Sequence, residues 1–354
     1  MRSTSKKFLV DLLAAPGPSG YEGPVRAVWR AEVEKYAERV DVDVHGNAAG
    51  VYNSGGGPRI MFAGHMDELG FQVIYIDEKG YIYFDTVGGF DLQLVPGRKV
   101  RIHTAKGPIL GVLGKKPIHL MQAGERGKVP AKHDLWIDIG AGDGAEAKKL
   151  VAIGDPVTYD ANYEELRHGL AVSRGFDNKA GAWVVAEALR RVSRAKKKCR
   201  AAIYSVATVQ EEVGLRGART STYGIDPLVG IAVDVTWAMD HPGVDKRQVG
   251  ECALGDGPVI TRGANVNPVV FDRLVQVAKQ KKIPHQIQAE PGGTGTDANA
   301  MQLSRAGVAT GLVSVPQRYM HTPVEIVALA DLDNTAKLLA EFALAVEAKA
   351  SFIP

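Results

Sequence analysis

The texture of the chain changes twice, and this constrains the fold more than any figure of composition. Up to about residue 68, helical spacing alternates with short apolar runs. Phe8, Leu9, Leu12 and Leu13 recur at helical intervals before Pro16-Gly17-Pro18-Ser19-Gly20 ends that helix. A second amphipathic helix is predicted from about Glu22 to Ala37, with Val25, Val28, Trp29 and Val33 on one face. Val40 to Val44 and Ala49 to Tyr52 alternate on either side of His45-Gly46-Asn47, the pattern of a hairpin. Over residues 69–163 the helices nearly vanish. Strand-like pieces at 71–76, 81–84, 99–103, 109–114 and 135–139 are separated by glycine turns, with one helical patch near 145–150. Closely spaced short strands read as a compact β barrel or sandwich. After that, buried strands and helices alternate again. The expected organisation is an α/β domain from residues 1–68 and 164–354, with an all-β domain inserted at 69–163.

Bulk properties narrow the function classes. The chain has 354 residues, enough for two domains, and its 45% hydrophobic and 23% charged content is that of a globular protein. The net charge of +3 contains no tract dense enough to imply a nucleic-acid or membrane partner. The densest basic run, Arg190 to Arg200, suits the C-terminal end of a helix. Cys199 and Cys252 form neither a disulfide framework nor a CxxC pair, which favours a reducing cytoplasm. The basic N-terminus has an apolar run broken by Asp11, unlike a signal peptide, and no stretch approaches membrane-spanning length.

The chemistry lies where apolar runs stop. Ala201 to Ala207 reads as a buried strand, yet it leads directly into Thr208-Val209-Gln210-Glu211-Glu212. Desolvating even one carboxylate costs several kcal/mol unless a cation accompanies it. The pair therefore faces solvent or a metal. His65, Asp177, Asp234 and His321 share the same habit, each at the end of a strand or the start of a helix. Ligands of α/β sheets bind beyond the carboxyl ends of the strands. Taken singly, Asp177 reads as a helix cap, Asp234 as a loop acid and His321 as a surface histidine. Together, two imidazoles and several carboxylates suit zinc, cobalt or manganese better than magnesium or calcium. Asp67 lies two residues beyond His65, on the same face if the strand continues, and can fix its tautomer. Glu211 and Glu212 point in different directions if extended, so one can ligate while the other acts as a base. The Gly292-Gly293-Thr294-Gly295 loop lacks the signatures of phosphate and dinucleotide loops.

Six segments, in order along nearly the whole chain, carry a family resemblance. They are Ala63-Gly64-His65-Met66-Asp67-Glu68, Gly175-Phe176-Asp177-Asn178-Lys179-Ala180-Gly181, Gln210-Glu211-Glu212-Val213-Gly214-Leu215-Arg216-Gly217-Ala218, Asp234-Val235-Thr236, Gly293-Thr294-Gly295-Thr296-Asp297-Ala298 and His321-Thr322-Pro323-Val324-Glu325. With them the chain resembles the dinuclear metalloaminopeptidases of metallopeptidase family 42, the TET-type and glutamyl-aminopeptidase group, some of which carry an endoglucanase label. The resemblance implies a mixed-sheet α/β sandwich of the phosphorylase/hydrolase-like kind, with an inserted barrel-like dimerisation domain. It implies a cytoplasmic aminopeptidase acting on short peptides with two divalent ions per subunit, zinc or cobalt foremost and manganese also suitable. Asp177 bridges the ions in that pattern, His65 and Asp234 complete one, and Glu212 and His321 the other. Asp67 orients His65, Glu211 is the general acid/base, and the peptide bond after Asp177 is cis. Dimers are the implied building blocks, commonly assembled into tetrahedral dodecamers. Two other readings compete. A glycoside hydrolase needs two carboxylates and no metal, which leaves the two histidines unexplained. A non-catalytic scaffold has no need of Glu211 beside five ligands.

Overall fold

Both amphipathic stretches at the N-terminus are helical. α1 (Ser3–Ala14) buries Phe8, Leu9, Leu12 and Leu13, and α2 (Gly23–Val33) buries Val25, Trp29 and Val33. Pro24 lies in the first turn of α2, where a missing N–H leaves no bond unmade. The expected hairpin follows as β1 (Arg39–Val42) and β2 (Ala48–Tyr52), paired antiparallel. Then β3 (Arg59–His65) runs fully buried after its first residue.

The computed structural model describes residues 1–354. It divides into two units, one of residues 1–68, 163–320 and 324–354, the other of residues 69–162 and 321–323. The second unit is a closed six-stranded barrel made of β4 (Gly70–Ile76), β5 (Ile82–Val87), β6 (Lys99–Thr104), β7 (Gly107–Lys115), β8 (Leu135–Asp138) and β9 (Pro156–Tyr159), with α3 (Gly144–Leu150) before its last strand. The order around it is β4-β5-β8-β7-β6-β9. The sequence pattern predicts no strand at β9, yet β9 closes the barrel by pairing with both β4 and β6 and removes the open edges of a sandwich. Phe71 meets Phe84 edge-on at 4.9 Å and Tyr159 at 5.2 Å in its core.

The first unit resumes with β10 (Glu164–Glu165), β11 (Leu170–Ser173), α4 (Phe176–Ser193), β12 (Ala202–Thr208), α5 (Arg216–Ile225) and β13 (Val229–Trp237). It ends with α6 (Lys246–Val249), β14 (Val259–Gly263), α7 (Pro268–Gln280), β15 (Gln286–Glu290), α8 (Asp297–Met301), β16 (Ala309–Arg318), β17 (Glu325–Ala328) and α9 (Leu329–Ala345). As expected, Asn267 caps α7, its side chain accepting from Val269 and Val270 N–H. The sheet has eleven strands in the order β1-β2-β12-β3-β13-β16-β17-β11-β10, with β14 and β15 branching from β16. β12, β3, β13 and β16 are parallel neighbours at its centre. Their register sets Thr208 opposite His65 and Ala232 opposite Ala63, so Asp234, two residues on, comes level with His65.

α4 must lie close on β3 for this edge to be useful, and two glycines permit it. A Cβ on Gly64 would stand 2.5 Å from the carbonyl carbon of Gly181. A Cβ on Gly181 would stand 2.7 Å from the carbonyl oxygen of Val233. Backbone cannot yield as a flexible side chain can. Gly64→Ala is therefore expected to lower the unfolding free energy by about 1–3 kcal/mol, read by denaturant titration. Gly55→Ala, where a Cβ meets nothing within 4 Å, should stay within about 0.5 kcal/mol of the parent. Equal behaviour of the two variants would refute the close-packing argument.

Candidate metal centre

Five of the residues singled out at strand and helix ends converge: His65, Asp177, Glu211, Glu212 and Asp234. His65, at the end of β3, is 1% exposed. Its Nε2 lies 3.3 Å from Asp177 Oδ1, 3.7 Å from Glu211 Oε2 and 3.7 Å from Asp234 Oδ1. Its Nδ1 lies 3.2 Å from the carbonyl oxygen of Asp67 and 3.4 Å from Asp67 Oδ1. One imidazole thus faces four buried carboxylates. Two overlapping donor groups result: His65 with Asp177 and Glu212, and His65 with Glu211 and Asp234, each with its ligand atoms within 4.8 Å of one another.

Local structure explains how each group arrives. Asp177 and Asn178 have non-helical backbone at the start of α4, and the peptide between them is cis. The helix-cap reading of Asp177 is corrected here. It is Asn178 whose Oδ1 accepts from Gly181 N–H, while its amide donates to the Val233 carbonyl at 2.8 Å and ties α4 to β13. The Asp177 carboxylate is left to face His65, and its own N–H donates to Glu325 Oε2 at 3.0 Å. Glu211 and Glu212 sit in a turn that begins with Gln210 at φ 54°, rather than on an extended strand. The N–H groups of Glu211 and Glu212 donate to the two carboxylate oxygens of Asp67, at 3.1 and 3.2 Å. Asp67 thus holds both His65 and the backbone of the two glutamates.

Several residues of this centre escaped sequence reasoning. Ser19 Oγ donates to Asp67 Oδ2 at 2.7 Å, and Glu22 accepts from Gln210 N–H at 3.2 Å. Both belong to a stretch that reads only as a helix stop followed by a helix start. Asp297 opens α8 as expected, but its Oδ2 accepts from the Thr208 hydroxyl at 2.6 Å, at the end of β12. Only the Thr296-Asp297 pair after a glycine loop hinted at it. His321 packs in the second unit, where its Nδ1 comes within 3.7 Å of the position a Cβ on Gly89 would take.

So much buried acid distorts its own protonation. Burial pushes Glu211 up to about 10, with the charges of Asp234, Asp297 and Asp177 adding and His65 only partly offsetting. Burial likewise raises Asp234, lifts Glu212 well above the ordinary glutamate value, and brings Asp297 to about 7. Burial alone would lower His65, but Glu211, Asp177, Asp234 and Asp67 outweigh it and raise it well above the usual value. Glu211 Oε1 and Asp297 Oδ1 are buried without a hydrogen-bond partner in the chain. One imidazolium supplies one positive charge against several carboxylates, and the donors are nitrogen and oxygen at the carboxyl edge of a parallel sheet. Divalent cations fit that donor set and that charge deficit.

A sheet edge that gathers these donors beneath a glycine-packed helix defines a metal-dependent hydrolase of the metallopeptidase kind. Comparison with known proteins makes the class specific: the family model described as M42 glutamyl aminopeptidase matches residues 46–338, and the chain belongs to that family of metalloaminopeptidases. It is 38% identical over 335 residues to a lysyl aminopeptidase of Pyrococcus furiosus, covering 94% of each chain. It superposes on a TET aminopeptidase from a marine-sediment thaumarchaeote with TM-score 0.93 at 35% identity, covering 97% of both chains. Against the Pyrococcus horikoshii TET1 peptidase, described as assembling into a tetrahedron or a large octahedral shell, the TM-score is 0.86 at 31% identity, covering 97% of this chain and all of that one.

Beside the centre lies a second charge system. Glu68 accepts from Arg174, from Lys179 Nζ at 2.7 Å and from Gly17 N–H at 3.0 Å, all buried. Burial alone would raise Glu68, but the charges of Arg174 and Lys179 hold it below the usual carboxylate range. Burial draws the Lys179 ammonium down to about 8. A carboxylate whose folded pKa is depressed contributes stability above its unfolded pKa and loses it as pH falls through the folded one. Glu68→Gln strands two buried cations and should cost about 3–5 kcal/mol at pH 7. The deficit should shrink as pH falls below the ordinary carboxylate range, where the parent is neutralised too. Urea unfolding at neutral and acid pH tests both parts, and a deficit under about 1 kcal/mol at pH 7 would refute the triad's role.

Proposed function

We propose that this aminopeptidase removes N-terminal residues from short peptides, with two divalent ions held by five side chains. His65 and Asp234 would hold one ion and Glu212 and His321 the other, with Asp177 common to both. The observation that carries the reading is the single buried imidazole among four buried carboxylates. When bound, such a pair supplies Lewis-acid polarisation of the scissile carbonyl and acidifies a water for attack. The remaining work belongs to the chain. Glu211 would stay off the ions and take the attacking water's proton, a role that its buried carboxylate 3.7 Å from His65 Nε2 suits. The same carboxyl then returns the proton to the leaving amine. Asp67 keeps His65 in one orientation and holds the 210–212 turn, so that Glu211 approaches from a fixed direction. Neighbouring carboxylates hold the substrate's α-ammonium, which limits cutting to a free N-terminus.

Zinc and cobalt are the metals we favour, and manganese suits the same donors. We assign dimerisation to the barrel, whose exposed Ile74, Tyr75, Leu110 and Val112 offer apolar surface for it. A tetrahedral dodecamer of such dimers is the assembly we favour, from the likeness to TET1 structures described as a dodecamer and as a tetrahedron. Two buried free thiols, Cys199 and Cys252, accord with a reducing cytoplasm.

Stripped of metal by a chelator, the protein should hydrolyse no aminoacyl-chromogenic substrate. Zinc, cobalt or manganese added singly should restore turnover, and N-acetylated substrates should remain uncut. Acetylated peptides cleaved as fast as free ones would sink the aminopeptidase reading, and hydrolysis of a cellulose oligomer that survives the chelator would favour a glycosidase. Glu211→Gln should bind the same metal and melt at the same temperature while kcat falls by about 10²–10⁴-fold. Turnover near that of the parent would overturn the role given to Glu211.

A further inference from the structure

A cavity of about 410 Å³ opens beyond the carboxyl ends of β13 and β16, lined by Trp237, Met239, His241, Val244, Tyr319 and Gln317 among others. Trp237 and Tyr319 are 57% and 47% exposed, an unusual amount of aromatic surface to leave open. The ring of Tyr319 lies 5.9 Å from that of His241. Gln317 is the odd member. It pairs with Trp237 in the sheet, and its backbone carbonyl accepts from Ala238 N–H at 2.8 Å. Its side chain is buried, the residue being 1% exposed, yet neither Oε1 nor Nε2 has a hydrogen-bond partner in the chain. Leaving buried donors and acceptors unmet is unfavourable, and leucine or methionine would fill the space without that cost. A carboxamide presents one donor and one acceptor side by side. The complement is the C=O and N–H of a peptide backbone.

Position adds the second argument. Trp237 lies three residues beyond Asp234 on the same strand, about 10 Å along it at roughly 3.3 Å per residue. An extended peptide covers about 3.3–3.6 Å per residue. A substrate whose first residue is held at the metal centre therefore spans this distance by its third or fourth residue. We propose that this cavity is a remote substrate subsite, in which Trp237 and Tyr319 flank an aromatic or long apolar side chain at position three or four of the peptide. The carboxamide of Gln317 pairs with the backbone beside that side chain. The inference rests on the aminopeptidase reading and adds to it a preference for peptides of at least three residues.

The test uses free pentapeptides that differ only in alanine or phenylalanine at positions three and four. For the parent enzyme, kcat/KM should favour phenylalanine by about tenfold or more at one of these positions. Trp237→Ala and Gln317→Leu should each bring that ratio to within twofold of unity. Gln317→Leu should also raise the melting temperature, because it removes an unmet buried amide, and this controls for misfolding. A parent ratio near one at both positions overturns the proposal. So does a ratio that survives in both variants, or a fall in kcat/KM shared equally by the alanine and phenylalanine peptides. If the parent cleaves no peptide of the series, the aminopeptidase reading fails, and the subsite with it.

Discussion

The structure depends on one electrostatic debt. Several carboxylates are drawn out of water around a single imidazole, and buried charge of one sign is among the most unfavourable things a fold can contain. Nearby elements serve to make this arrangement persist. Parallel strands bring His65, Thr208 and Asp234 to one level. Two glycines let α4 press Asp177 down onto that level. Asn178 and Glu325 hold the entry to α4, so that the Asp177 carboxylate is left for the centre. A metal-binding fold is expected to look like this, with the protein's own contacts holding repelling groups in place until cations neutralise them.

The two charge systems differ in how they are balanced. Glu68 meets Arg174 and Lys179 and is satisfied within the chain. Its acidity is strengthened, and its contribution is structural. Three residues away in sequence, His65 lies against Glu211 and Asp234, whose proton affinities rise with its own, and against Asp67, whose affinity falls. Sequence neighbours can thus belong to opposite electrostatic regimes. The lowered groups, Glu68 and Asp67, are those satisfied by donors within the chain, and the raised ones are those left facing one another.

How much could be read beforehand follows the same division. Periodicity carries the fold well: the α1 face, the β1–β2 hairpin, the central strands and the change to an all-β insertion are local patterns of apolar residues. β9 escaped because four residues starting with proline show no clear alternation, and only closure of the barrel gives them partners. In the centre, side chains that face His65 announced themselves as acids at the ends of apolar runs. Ser19, Glu22 and Asn178 did not, because each works by hydrogen-bonding backbone or side chains that are remote in sequence. A serine in a proline-glycine turn has a sufficient local explanation, and only coordinates show that its hydroxyl reaches Asp67. In the sequence, strand geometry points Glu211 and Glu212 in different directions, whereas in the structure both lie in the turn that follows Gln210.

Asp67 has a consequence for how the molecule comes into being. Its carboxylate gathers donors from residue 19 and from residues 211 and 212, segments separated by the whole barrel and much of the sheet. Contacts of such long range form late, after the intervening chain has been ordered. A growing polypeptide on the ribosome carries His65 early, but it cannot seat Glu211 beside it until β12 has emerged and docked beside β3. Hydrolytic competence is therefore withheld throughout synthesis and arrives only with the finished sheet.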